Sequence, residues 1–428
     1  MKLNYKRTFF VGLAFLSICC FWQLYDNIVP LILANTFSMG ETMTGAIMAL
    51  DNILALFLIP MFGTFSDKVH TRLGKRTPFI ITGTFFAVIF MMLIPIADRQ
   101  HNFTLFIISL GIVLLAMGSY RAPAVALMPD LTPKQLRSKA NSVINLMGAL
   151  GAIVTLVLIN RLVKKEQFPD YTMVFLCVAA IMVFAVIVLV KTIHENAYTK
   201  ENEEINYETG RQAPADENSH ESKPLPKDVK RSLFFILASI FLWFTAYNAV
   251  TTAYSRYAVK VWGLQGGSFA NALLVATAAA IVSFFPIGII SSLIGRKKTI
   301  IIGILMMSAS YLSGFLFTDF SPMIYVVFAF TGIGWSAINV NSYPMVVDMG
   351  RGSDTGKYTS LYYLFSMLAQ TVTPTLSGFL LENVSYRTLF PYSLIFSLLS
   401  LCTMLCVKHG DSKPPRKKEL LEHHDVND

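Results

Sequence analysis

Twelve stretches of mostly apolar residues divide this chain, separated by short polar segments. They run over residues 8–36, 42–65, 78–97, 103–128, 139–161, 171–191, 232–258, 268–293, 299–318, 322–347, 357–381 and 388–407. A bilayer core of about 30 Å is crossed by about 20 apolar residues in an α-helix. The pattern therefore predicts an all-α membrane protein of twelve transmembrane helices. The first stretch follows a basic start, as a signal peptide would, but it is too long for such a segment and lacks a small-residue cleavage site. It counts as the first spanning helix.

Between the sixth and seventh stretches the composition changes abruptly. Thr192–Lys230 mixes Glu201, Glu203, Glu204, Glu208, Asp216 and Glu217 with Asn, Pro, Ser and Lys, which predicts a flexible linker. The expected organisation is a six-helix bundle over 1–191, a linker over 192–231, a second six-helix bundle over 232–407 and a tail over 408–428.

The two halves echo one another in three places. Phe21-Trp22-Gln23-Leu24-Tyr25-Asp26-Asn27 aligns with Leu242-Trp243-Phe244-Thr245-Ala246-Tyr247-Asn248. Gly63-x-x-Ser66 before Gly74-Lys75-Arg76 returns as Gly288-x-x-Ser291 before Gly295-Arg296-Lys297-Lys298. Ser119-Tyr120 followed by Asp130 returns as Ser342-Tyr343 followed by Asp348. Two parallel repeats around a midplane site resemble the major facilitator architecture, in which one bundle rocks against the other.

Composition and charge fit this picture. Hydrophobic residues make up 54% of the 428 positions, and charged residues only 14%. The net charge of +9 reports topology. With the N-terminus inside, the inner loops and tails hold about 27 of the 35 Lys and Arg, as expected for cytoplasmic termini and a multi-pass protein of the cell membrane. Scattered loop charges with no soluble domain argue against a nucleic-acid partner. Cys19, Cys20, Cys177, Cys402 and Cys406 lie in or beside apolar helices, which argues against disulfides and metal sites. The pair His423-His424 lacks companion ligands. No phosphate-binding Gly-x-x-x-x-Gly-Lys-Ser/Thr motif occurs, and no enzyme or cofactor is expected.

The segment Gly63-Thr64-Phe65-Ser66-Asp67-Lys68-Val69-His70-Thr71-Arg72-Leu73-Gly74-Lys75-Arg76-Thr77-Pro78-Phe79 is longer than a plain facilitator loop. It resembles that of the sucrose and maltose permeases of the glycoside-pentoside-hexuronide group, which includes relatives of plant sucrose transporters. The segments Tyr120–Asp130 and Asn339–Met349 resemble that group's bacterial branch. The resemblance implies cation-coupled import of a disaccharide, with a proton favoured over sodium, and a substrate-contacting or coupling role for Arg121. The chain departs from the group in two places. Gly111–Gly118 has no acidic residue, and the seventh helix offers Asn248, Thr251 and Thr252 where relatives often have a carboxylate.

The ionisable residues can also be read directly. Each charge within a spanning helix costs about 2.5 to 3.5 kcal/mol on insertion scales, so each is a functional candidate needing a partner. The candidates are Asp26, Asp51, Arg121 and, nearer a helix end, Arg256. Asp26 shares a helix face with Trp22 at i−4 and adjoins Tyr25; rings can stack on sugar faces while carboxylates and amides bind hydroxyls. Arg121 requires a substrate, a set of acceptors or an ion pair, with Asp26 or Asp51 as the expected partner. Asp51, followed by Asn52, is the other candidate proton carrier, and the choice between it and Asp26 stays open. One charge moving down 100 mV releases about 2.3 kcal/mol, enough for a roughly fifty-fold solute gradient.

In the second half, Trp243, Tyr247, Asn248, Trp335, Asn339, Asn341 and Gln370 suit a neutral polyol, although any one buried amide can instead tie helices together. Asp67 sits at its helix's C-terminal end, where the dipole disfavours an anion. Asp67 with Arg72, Lys75 or Arg76 is expected to latch the halves on the cytoplasmic side. Gly148-x-x-Gly151, Gly83, Gly314 and Gly378 are expected to be close helix contacts. Rival readings are an efflux antiporter, an uncoupled facilitator and, more remotely, a non-transporting sugar sensor. The oligomeric state is not readable.

Overall fold

The computed structural model describes residues 3–133, 136–166, 169–202, 226–349 and 355–411. Twelve helices organise them: α1 (Tyr5–Asn35), α2 (Glu41–Lys68), α3 (Thr77–Arg99), α4 (Phe103–Leu131), α5 (Arg137–Leu162), α6 (Thr172–Thr192), α7 (Lys227–Lys260), α8 (Ala270–Ile294), α9 (Arg296–Leu316), α10 (Met323–Val347), α11 (Thr355–Asn383) and α12 (Leu389–Leu405). All are long and apolar enough to cross a membrane. In lipid a helix satisfies its own backbone, so an apolar run of this length has no cheaper spanning form than a helix. Local chemistry marks the ends: the Asn4 side chain accepts from the Arg7 N–H at 3.0 Å and begins α1, and Asn102 does the same for Leu105 and α4.

The chain packs as two units. The first comprises Met1–Asn218, Thr251–Leu274 and Pro374–Tyr386, and the second Ser219–Val250, Val275–Thr373 and Arg387–Asp428. The first unit thus includes ends of α7, α8 and α11 as well as α1 to α6.

Small residues set the helix spacing, as expected. A Cβ on Gly151 would lie 2.4 Å from the Leu16 carbonyl oxygen, and one on Gly148 2.9 Å from Cys19 Sγ. The close α1–α5 seam lets Cys20 Sγ donate to the Gly151 carbonyl and Thr155 to the Cys20 carbonyl, each at 3.3 Å. Gly83 faces Tyr120, Gly314 faces Phe390 and Gly378 faces the Glu41 carbonyl, all too tightly for a methyl group.

The linker differs from expectation at its start. Residues 195–202 are helical and dock on the first unit: Glu195 is 2% exposed, and Asn202 Nδ2 donates to the Asp130 carbonyl at 2.8 Å. Most of the remaining linker, and the tail beyond Asp411 with His423 and His424, lie outside the described residues.

Candidate functional site

In the first unit the predicted polar residues of α1, α2 and α4 come together. Phe21, Trp22 and Tyr25 form an aromatic cluster, with Trp22 and Tyr25 edge-to-face at 5.5 Å. Tyr25 is 1% exposed. Neither its hydroxyl nor the Trp22 indole N–H has a hydrogen-bond partner among the described residues. Asp26, one residue on, interacts electrostatically with both Asp51 and Arg121, and Asp51 also feels Arg121. Asn52 Nδ2 donates to Asp51 at 2.7 Å.

The ion pair expected for Arg121 is not formed. Among the described residues, no pair within 4.0 Å joins Arg121 to Asp26 or Asp51. The guanidinium instead lies over the Trp22 ring, 5.8 Å from its centroid, where the ring's negative face attracts a cation. Two carboxylates and one cation are thus held near an aromatic face without being locked to each other.

The second unit has its own group. Tyr247 of α7 and Trp335 of α10 stack in parallel, centroids 3.8 Å apart and planes 4° from coplanar. Phe244 meets Trp335 edge-on at 5.2 Å. Asn248 Nδ2 donates to the Phe244 carbonyl at 2.8 Å, and Gln370 Nε2 to the Ser366 carbonyl at 3.3 Å. Asn339 is exposed. Trp243, 1% exposed, is packed into the interior and does not join this surface. Asn341 is also buried, donating to the Ala337 carbonyl and accepting from Ser291; it ties α8 to α10, the structural role open to any buried amide.

The basic loop after α2 is organised within the first unit. Arg76, 5% exposed, binds Asp67 and Ser66 and reaches Asp130 through Nε at 2.9 Å. Lys75 pairs with Asp130 at 3.3 Å rather than with Asp67, and Arg72 is exposed. Glu195 accepts from the backbone N–H groups of Lys75, Arg76 and Thr77 at 2.8 to 2.9 Å, so its carboxylate caps the positive end of α3. Gly74 makes this possible: its φ is +116°, and a Cβ there would strike Glu195. In the second unit Gly295 (φ +95°) precedes α9, Arg296 binds Asp348, and Asp411 accepts from the Lys297 N–H at 3.1 Å.

A charged cluster at the other end of α2 was not anticipated. Glu41 and Arg256, each 3% exposed, pair at 2.6 Å. Lys260 lies 3.6 Å from the same carboxylate, and the Tyr386 hydroxyl donates to it. Arg256 was visible as a helix-end charge, but its partner stands 215 residues away, and no local signal joins them.

The repeated loop, the twelve spanning helices and the paired arginine–aspartate bridges lead to the comparison with known proteins. The chain matches the Major Facilitator Superfamily model over residues 11–292 and 269–425. The chain belongs to the Major Facilitator Superfamily. Among relatives of this superfamily transporter, an uncharacterized MFS-type transporter of Methanocaldococcus jannaschii is 22% identical over 90% of both chains. Sucrose transport protein SUC3 of Arabidopsis thaliana is 27% identical over 34% of this chain and 28% of its own length. Rice sucrose transport protein SUT3 is likewise 27% identical, over 28% of each chain. This transporter therefore spans under a third of the plant sucrose transporters it matches. Among solved structures, the peptide transporter POT bound to sulfate superposes with a TM-score of 0.66 at 13% identity, covering 94% of both chains. FucP, in the outward conformation, does so with 0.57 at 16%, covering 95% of this chain and all of its own. At these identities the structures establish the fold.

Proposed function

We propose that this transporter imports a disaccharide of the sucrose or maltose type, coupled to protons, across the cell membrane, with both termini cytoplasmic. The observation that carries the reading is the unlocked group of Asp26, Asp51 and Arg121 beside Trp22. A cation held by a ring rather than by a carboxylate is free to change partners, and a carboxylate whose cation moves changes its proton affinity. That exchange is a coupling step. Trp22 offers an apolar face for a sugar ring, and Tyr25 a hydroxyl without a partner among the described residues. Within the second unit, Tyr247, Trp335, Asn339 and Gln370 offer rings and amides of the same chemical kind. Partial similarity to plant sucrose transporters supports the substrate class. A role for Asp67, Arg72, Lys75 and Arg76 at a cytoplasmic gate belongs to the same reading.

Uptake of radiolabelled sucrose and maltose into proteoliposomes under an imposed inward proton gradient tests it. The wild type should concentrate one sugar. Asp51→Asn or Asp26→Asn should abolish accumulation while retaining exchange, which would also locate the coupling carboxylate. Accumulation independent of the proton gradient would remove the coupling, and extrusion from everted vesicles would favour antiport. Movement of neither sugar would remove the substrate class.

A further inference from the structure

The two ends of α2 are held differently. Six of its nine buried residues fall within Glu41–Ala49. Farther on, Phe57, Met61 and Phe65 are 70%, 40% and 50% exposed, and a Cβ on Gly63 would meet nothing within 4 Å among the described residues. A Cβ on Gly45, by contrast, would strike the Pro374 carbonyl of α11. The same helix is clasped where it begins and loosely packed where it ends.

The clasp has a charged layer and a backbone layer, all of it within the first unit. In the charged layer, Glu41 opens α2 and takes the Arg256 guanidinium at 2.6 Å, both side chains 3% exposed. The Tyr386 hydroxyl donates to the same carboxylate and accepts from Lys260 at 2.5 Å. Lys260, its side chain 43% exposed, is the member that reaches water. In the backbone layer, Gly40 lies against Glu382, which accepts from the Thr42 N–H at 2.8 Å, and Gly378 lies against the Glu41 carbonyl. Gly267, in the turn between α7 and α8, donates to the Val163 carbonyl just past α5 at 3.2 Å.

Both layers are built to part. Breaking a buried ion pair is costly when it strands a charge inside protein. Here the anion stands at the start of α2 and the cations near the end of α7, each favoured by its own helix dipole, and separation beside Lys260 admits water to both. Glycine faces bring backbone against backbone without side-chain knobs, so they come apart with no change of rotamer.

We infer that this clasp is a releasable latch closing the end of the first unit remote from the basic loop, with Glu41 and Arg256 as the positioning residues that hold it shut. The inference rests on the membrane orientation proposed above and not on the solute carried. Thr44, one turn after Glu41, is 0% exposed, so Thr44→Cys puts a small thiol under the latch. Its labelling by a membrane-impermeant maleimide is followed in right-side-out and in inverted vesicles, with the unaltered chain as blank. Thr44→Cys alone should label slowly. Adding Glu41→Gln, which keeps the shape and loses the charge, should speed labelling about tenfold in right-side-out vesicles. Adding Gly45→Ala, whose methyl would strike the Pro374 carbonyl, should speed it as well. Adding Lys260→Met should change the rate within about twofold. So should Asp170→Asn, which removes an exposed carboxylate paired with Arg99. Each variant is first checked for the parent's elution profile and Tm; if Glu41→Gln fails, Arg256→Gln is read in its place. Labelling equally slow with and without Glu41→Gln, or already fast in Thr44→Cys alone, overturns the latch. An equal acceleration by Asp170→Asn overturns it too, since any loosened loop would then suffice. Acceleration confined to inverted vesicles supports the latch and overturns the orientation. A chain that labels as expected but moves neither sugar supports the latch and removes only the substrate class.

Discussion

The loops that open α3 and α9 are copies of one design, yet they are built to different depths. Each has a glycine with positive φ, a basic run, an arginine bridged to an aspartate near the end of the next helix but one, and a carboxylate from beyond the sixth helix of its half. In the first, the arginine side chain is 6% exposed and bridges two aspartates, and Glu195 receives three backbone N–H groups. In the second, the arginine side chain is 23% exposed, its aspartate 52%, and Asp411 receives one N–H. Lys297 makes up part of the difference by donating to the Leu405 and Val407 carbonyls at 3.0 and 2.6 Å. Repetition preserved the geometry of the motif but not its energetic weight: a buried charge network tolerates loss of a partner far less than an exposed one.

Substitutions can break that comparison, beginning with the largest expected effect. Arg76→Ala leaves Asp130 facing Lys75 alone and strips Asp67 of its cation; a loss of about 3 to 5 kcal/mol is expected, read as a clear drop in Tm in detergent. Glu195→Gln leaves buried N–H groups with poorer acceptors and should cost about 1 to 3 kcal/mol by the same assay. Arg296→Ala, the counterpart of the first change, should cost no more than about 1 kcal/mol. Asp411→Asn, removing one cap charge, should fall near 0.3 to 1 kcal/mol, on the order of a surface dipole interaction. Raising salt to about 1 M sharpens the contrast. Screening should erase the Arg296→Ala difference and leave most of that for Arg76→Ala. Equal losses at the two arginines would mean that burial does not separate the loops.

The helices were legible because lipid leaves few choices: a run such as Thr172–Thr192, apolar almost throughout, has no alternative to a spanning helix. Glycine contacts were legible for a similar reason, since a small residue in such a helix seldom has another use. Ion-pair partners were not. Glu195 stands in a stretch whose composition reads as linker, and only the turn at Gly74 brings α3 to it. Glu41 looks like an ordinary first-turn acid until α7 supplies Arg256. Arg121 illustrates the converse: an ion pair with one of two carboxylates was one of the expected ways to hold it, yet no such pair forms within 4.0 Å among the described residues and the guanidinium lies over an indole ring. Trp243 and Trp335 read alike in sequence, and only packing separates the buried one from the one in the stack.

The α1–α5 seam has a bearing on how altered variants of this transporter would arise under selection. Gly12 against Met147, Gly148 against Cys19 and Gly151 against Leu16 leave no slack between the two helices. Trp22 and Asp26 ride on α1, so a side chain enlarged on α5 displaces them without touching them. Second-site suppressors of substrate-range or coupling mutations should accordingly cluster on α5 around Met147, Gly148 and Gly151. Those positions have no proton to give and no sugar to hold, and a screen confined to polar residues would pass them by.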